Sequence, residues 1–288
     1  MTARSVRTRT LYAQEQLDAL FQAVETDDVV DPDVSLPVPV PVHFSEDDMR
    51  RCLDLCVQFW MQEARPAEMR HLAERLLIST DLPEQARLRY KHVRASYKHL
   101  RFALVLYGVK HRPPRLFAAT VAVMGHLQDA FRNRRPHATR GYALLLRLLL
   151  SRPISMIVRR EVERVRLDDA AGFLRFRRAE IGRVATWLQQ PQITAHVFHA
   201  VRKVVSRQVS FYDTLHVLQP DDRLWKMSRF LSAINGLMGD MHDDLVRQAG
   251  TGHRDYARDT FALPHDIRWR LDALIAAYPT TDATPGVA

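Results

Sequence analysis

At 288 residues and 47% hydrophobic content, the chain carries enough apolar material for one large domain or two smaller ones, which excludes a disordered or fibrous class. A net charge of +9 and a pI near 9.9 mean that anions collect on its surface, whether nucleic acid, acidic membrane or polyphosphate. The longest apolar run, "YALLLRLLL", is short and broken by Arg147, and no charged-then-apolar leader opens the sequence, so no membrane span is expected.

Residues 1–44 read as an N-terminal arm. Its tip is basic (Arg4, Arg7, Arg9), a short amphipathic helix is expected over 11–24, and an acidic patch follows at Glu25, Asp27, Asp28, Asp31 and Asp33. "LPVPVPV", 36–42, alternates proline and predicts an extended, semi-rigid strap. Tethered by that strap, the acidic patch is expected to fold back on a basic surface as an internal anion.

The compact domain is placed at 45–250. Ser45 reads as an N-cap, acids fill the first turn after it, and Leu53, Cys56, Val57 and Trp60 recur at helical spacing. Cys52 and Cys56, at i, i+4 in that pattern, read as reduced core residues of a cytoplasmic protein, not as a disulfide or metal pair. Helix then follows helix, punctuated at Pro66, Pro83, Pro113-Pro114, Pro136, Pro153, Pro191 and Pro220, with no convincing alternating strand. The fold class is all-α. Residues 251–288 are expected to be an extension with a short helix and a disordered tail.

The stretch "QARLRYKHVRASYKHLRFAL", 85–104, carries six Lys or Arg, two His and no acid. At about 100° per residue, Lys91, Arg94, Lys98 and Arg101, with Arg87, fall on one arc beside an apolar stripe of Val93, Tyr97, Leu100 and Leu104. Like charges at i, i+4 repel by a few tenths of a kcal/mol per pair, a sign that a bound polyanion reverses. A solvated basic face is the plain alternative. Residues 130–183 add fourteen Arg against five acids, and Arg177 and Arg178 are further candidates.

Weak internal self-similarity runs through the domain, with repeats at roughly 45–150 and 151–250. "GHLQDAF", 125–131, matches "GDMHDDL", 239–245, and a cationic helix precedes each. In the second copy His199, Arg202, Lys203 and Arg207 share one side, while Ser206 and Val209 stand where Lys98 and Arg101 stand in the first.

The pattern Lys91-x-x-Arg94-x-x-x-Lys98-x-x-Arg101 with Gly125-x-x-Gln128-Asp129, repeated as His199-x-x-Arg202 with "LMGDMHD", resembles the CHAD family, the conserved histidine α-helical domains, over about 45–250. The resemblance implies two pseudo-symmetric four-helix bundles with a basic central groove that binds inorganic polyphosphate, and polyphosphate granules as a destination. The family's signature histidine reads Lys91 here, and its arginine-aspartate pair reads Gln128-Asp129 and His242-Asp243. Asp129 and Asp243 would orient cations.

Polyphosphate has about one negative charge per phosphate and no bases, so cations and N–H donors suffice to hold it, arginine by bidentate forks and lysine as a point charge. No catalytic residue, metal site or cofactor is expected. A phosphohydrolase built on His242 and Asp243 would need further ligands aimed at one point. Nucleic acid, RNA in particular, is the alternative partner, although aromatic interleaving for base stacking is thin.

Overall fold

The computed structural model describes residues 11–279, and these fold as an all-α protein. Eleven helices run in chain order among them: α1 (Gln14–Glu25), α2 (Glu46–Glu63), α3 (Pro66–Ser79), α4 (Glu84–Tyr107), α5 (Arg115–Arg132), α6 (Pro136–Leu149), α7 (Arg152–Glu163), α8 (Ala170–Trp187), α9 (Ala195–Leu218), α10 (Asp222–Gly250) and α11 (His265–Ala277). Two two-residue strands, β1 (Ile193–Thr194) and β2 (Thr260–Phe261), pair antiparallel with Ile193 opposite Phe261. The prolines fall where their missing N–H and fixed φ are tolerated: Pro83 and Pro114 at N-caps, Pro66, Pro136 and Pro153 in first turns. Ser45 and Asp48 cap α2 reciprocally, Asp48 N–H donating to Ser45 Oγ at 3.1 Å and Ser45 N–H to Asp48 Oδ2 at 2.9 Å. No single described helix is long and apolar enough to cross a membrane.

The chain divides into two compact units. Among the described residues, the first comprises 11–13 and 49–168, the second 14–48 and 169–279. This differs from the expected arm and repeat boundaries, and the reason is burial. Leu17 and Leu20 of α1, with Val34 before the strap and Val40 and Val42 within it, are core residues, so residues 14–48 are part of the second unit and not an appendage. Tyr212 donates its hydroxyl proton to the Pro41 carbonyl at 2.7 Å, and Arg223 donates to the Pro39 carbonyl at 2.6 Å. These bonds satisfy carbonyls of a strap that has no ladder of its own.

The expected C-terminal helix is α11, and it too belongs to the second unit through Ile267, Leu271 and Leu274. The basic tip with Arg4, Arg7 and Arg9, and the expected tail over 280–288, lie outside the described residues. Cys52 and Cys56 are buried and unbridged.

In the first unit, α4 buries Tyr90, Val93, Tyr97, Leu100 and Leu104, the apolar stripe expected from its spacing. Tyr97 stacks on Phe117 of α5 with ring centroids 5.8 Å apart, and Trp60 of α2 meets both rings edge-on. In the second unit, α9 and α10 form the central antiparallel pair. Polar contacts tie them together: Ser206 Oγ donates to Asn235 Oδ1 at 2.7 Å, and Arg229 pairs with buried Asp213 at 3.2 Å.

Candidate functional site

Apolar burial of one face of α4 fixes which of its residues reach the surface. Lys91 is exposed, while Arg94, Lys98 and Arg101 are half-buried along the margin of the helix. Lys98 places its ammonium 5.6 Å from the Phe102 ring centroid, one turn on. Arg87, at the start of the stripe, is held by Asp81: its Nη2 pairs with Oδ2, and its Nε donates to the Leu82 carbonyl at 2.9 Å.

Arg94 has the most defined setting. Tyr90 donates its hydroxyl proton to the Met124 carbonyl at 2.9 Å, which draws α4 and α5 together beside Gly125. At that glycine a Cβ would lie 3.3 Å from Arg94 Nη2, so the guanidinium occupies space that a side chain would take. Burial pushes the Tyr90 hydroxyl pKa far up, with the Arg94 charge opposing and the Asp129 charge reinforcing it, which sets both charges near this contact. The Nε of Arg94 and the Oε1 of Gln128, one turn past Gly125, are buried without hydrogen-bond partners among the described residues. Asp129 is exposed.

The second unit contains a related contact with different chemistry. A Cβ at Gly239 of α10 would lie 3.0 Å from Arg202 Nη2 of α9. His199 stacks on His242 at 4.8 Å between centroids, and Tyr256 meets His242 edge-on at 6.5 Å. Burial, followed by the charges of Lys203, His242, Arg202 and His196, pushes the His199 pKa down to about 4. His199 is therefore neutral at pH 7 and contributes no positive charge. Its Nδ1 is buried without a partner among the described residues.

Burial lowers the Arg202 pKa, and Asp243, Asp27, Asp28 and Asp240 oppose that shift. The loop after α1 is responsible for two of these acids. Asn235 donates to the Asp27 carbonyl at 2.8 Å, Arg229 donates to the Thr26 carbonyl at 3.0 Å, and the Asp28 carbonyl lies directly over Gly236. The loop that carries part of the acidic patch thus packs against α10 of the second unit, with the charges of Asp27 and Asp28 acting on Arg202. It is integral to the fold, where a dangling tether was expected.

Three sequence-predicted residues are placed away from any open cationic surface. Arg177 is fully buried: its guanidinium lies 4.2 Å from the Phe211 ring centroid and 5.1 Å from that of Tyr212, and donates to Gln208 Oε1 at 2.8 Å and Tyr212 Oη at 2.8 Å. It is a core cation in an aromatic cage and cannot touch a surface ligand. Arg207 is tied to buried Glu180, its Nε 3.2 Å from Oε2 and its Nη2 on Oε1. Arg178 donates to the Pro279 carbonyl at 3.1 Å. Each found a partner more than 25 residues away in sequence, which helical spacing does not display. Lys203 remains exposed, Ser206 and Val209 are buried, and Asp243 sits 3.7 Å from His242 Nδ1.

Sequence reasoning singled out Asp243 but missed Asp240, Tyr256 and Glu180. The only available signal for Asp240 was its place one turn before Asp244 on α10. Among the described residues no group of three or more His, Cys, Asp or Glu side chains is arranged to hold a metal ion. The chain matches no family model, no curated protein and no solved structure.

Proposed function

We propose that this chain is a divergent member of the CHAD family that binds inorganic polyphosphate and performs no catalysis. Helix α4 carries the binding, with Lys91, Arg94, Lys98 and Arg101 as the contacting cations, and Arg202 and Lys203 of α9 form a second, weaker patch. Polyphosphate granules are the cellular destination that this reading implies.

The observation that carries the reading is the setting of Arg94. Its guanidinium is seated in the space left by Gly125, yet its Nε has no protein partner among the described residues. A buried donor on a cation without an acceptor costs free energy that a phosphate oxygen recovers. The like contact of Arg202 with Gly239 supports an internal repeat built on arginine and glycine. Neutral His199, the acids around Arg202 and the Glu180 partner of Arg207 are the physical reasons for ranking α9 below α4.

An electrophoretic shift of long-chain polyphosphate, run beside single-stranded RNA of equal charge, tests the proposal. The chain is expected to retard polyphosphate at lower protein concentration than RNA, and Lys91→Glu with Arg94→Glu to abolish the shift. Preference for RNA assigns the same cations to nucleic acid. Failure of the double variant to alter the shift removes α4 from the function.

A further inference from the structure

A second cationic site lies elsewhere in the first unit, at the opposite end of α4 from Lys91. The loop joining α4 to α5 and the segment leaving α7 enclose a cavity of about 400 Å³, within the range of small-molecule sites. Lys110, Arg112, Arg115, Arg164 and Arg166 line it against one carboxylate, Glu161. No ion pair engages any of these five cations among the described residues.

The nearby acids have other partners: Glu163 pairs with Arg159 at 3.1 Å, and Asp169 accepts from the Gly172 N–H at 2.6 Å. Asp168 is taken by His111, whose Nε2 lies 3.2 Å from Asp168 Oδ2 and whose Nδ1 bonds the Val105 carbonyl at 3.0 Å. Glu161 Oε2 is buried without a hydrogen-bond partner among the described residues, so it neutralises none of the cations by direct contact. Five positive charges less one leave the cavity strongly attractive to a polyanion.

The walls are fastened before any ligand arrives. Gly108 and Leu167 form an antiparallel bridge, Val109 N–H donates to the Arg166 carbonyl at 3.0 Å, and Asp168 N–H donates to the Tyr107 carbonyl at 2.9 Å. A Cβ at Gly108 would lie 2.7 Å from the Leu104 carbonyl oxygen at the end of α4, a backbone clash that favours glycine, and 3.2 Å from Val165 Cγ1 of the facing segment. His111 holds the turn in the left-handed region at φ 45°. Such fastening lowers the ordering cost of binding.

The lining is not all charge. Val109, Pro113, Pro114 and Val165 supply an apolar wall, and Val109 is 48% exposed with nothing covering it. Inorganic phosphate chains have no use for such a wall. A ligand that joins phosphates to a flat apolar body uses both halves. Helix α5 also begins at this cavity with no side-chain cap and with Arg115 in place of an acid in its first turn, an end whose N–H groups favour an anion.

We infer that this cavity binds a nucleoside di- or triphosphate, with the phosphates on the arginines and the base on the valine and proline wall. The site is separate from the polyphosphate-binding cations of α4 and independent of that reading. Equilibrium dialysis of the full chain with radiolabelled ATP, with adenosine and tripolyphosphate as competitors, tests it. Saturable one-to-one binding is expected. Arg112→Ser with Arg164→Ser and Arg166→Ser should weaken it at least about a hundredfold, since each charge-assisted contact is worth roughly tenfold. Lys91→Ala with Arg94→Ala should leave it unchanged.

Val109→Glu, a single surface change that keeps every cation, is expected to weaken ATP more than tripolyphosphate. Absence of saturable ATP binding overturns the inference. So does loss of ATP only in the α4 variant, or tripolyphosphate competing as well as ATP itself, which would mean that the apolar wall contributes nothing. Circular dichroism of each variant checks that the fold is retained, and Arg112, Arg164 and Arg166 are all exposed.

Discussion

Glycine-to-alanine substitutions on three helices separate tertiary packing from general helix propensity. An alanine in a helix interior is worth about 1 kcal/mol over glycine when the new methyl meets nothing. Gly182 of α8 is such a site, with no atom within 4 Å of the added Cβ, so Gly182→Ala should stabilise by about that amount. Gly236 of α10 is the opposite case. Its Cβ would lie 2.1 Å from the Asp28 carbonyl oxygen and 2.8 Å from Val30 Cγ2, and a backbone carbonyl cannot rotate aside.

Overpacking of this kind costs typically about 1–3 kcal/mol, so Gly236→Ala should destabilise by about 1 kcal/mol once the helical gain of about 1 kcal/mol is subtracted. Gly125 lies between, because the atom met at 3.3 Å is the far end of the Arg94 side chain and can yield. Its alanine should be close to neutral in stability while displacing Arg94 and weakening polyphosphate binding. Urea unfolding of Gly182→Ala and Gly236→Ala compares two positions in the same unit, with a shift of the midpoint at unchanged slope as the readout. Equal stabilisation by the two would refute the docking of the acidic loop on α10.

Other perturbations address the charges. Asp27→Asn with Asp28→Asn keeps the backbone carbonyls that dock the loop but removes two of the charges that oppose the shift at Arg202, so polyphosphate affinity measured by fluorescence titration should rise severalfold at low salt and converge with the parent at high salt. Arg177→Met should leave polyphosphate affinity unchanged in the same titration, since the side chain is fully buried among aromatic rings. Removing residues 1–40 should unfold the second unit and not merely release its surface, because Leu17, Leu20, Val34 and Val40 leave with it; loss of cooperative melting is the check. The pH dependence has a defined sign at His199. Its folded pKa of about 4 lies below the unfolded value near 6.5, so the unfolded chain binds more protons between those limits and this residue's contribution to stability falls as pH drops through the window. His199→Gln should flatten that fall in pH-dependent urea unfolding.

The helices were legible because their signals are local. Ser45 and Asp48 cap as their spacing predicts, and the prolines mark the starts of α3 through α7. The apolar stripe of α4 fixed where its cations emerge, and the glycine motifs marked the positions against which Arg94 and Arg202 lie. What escaped was decided by distant partners. Val40 and Val42 looked like part of a spacer, yet both are buried in the second unit, while Val38 in the same alternation is 78% exposed. Arg177 and Arg178 are adjacent and similar in sequence, but one enters an aromatic cage and the other reaches the Pro279 carbonyl. The cavity beside Gly108 joins segments about fifty residues apart, so its five cations do not form a cluster on any helix face.

The most direct test of the central claim is a salt titration of binding to long-chain polyphosphate, for the parent chain and for Lys91, Arg94, Lys98 and Arg101 changed together to alanine. Each neutralised charge on a flexible single-stranded polyanion contributes about 0.7 to the slope of log affinity against log salt. The quadruple change should therefore lower that slope by up to about 3 and weaken binding at every salt concentration. An unchanged slope and affinity would contradict the assignment of polyphosphate to α4.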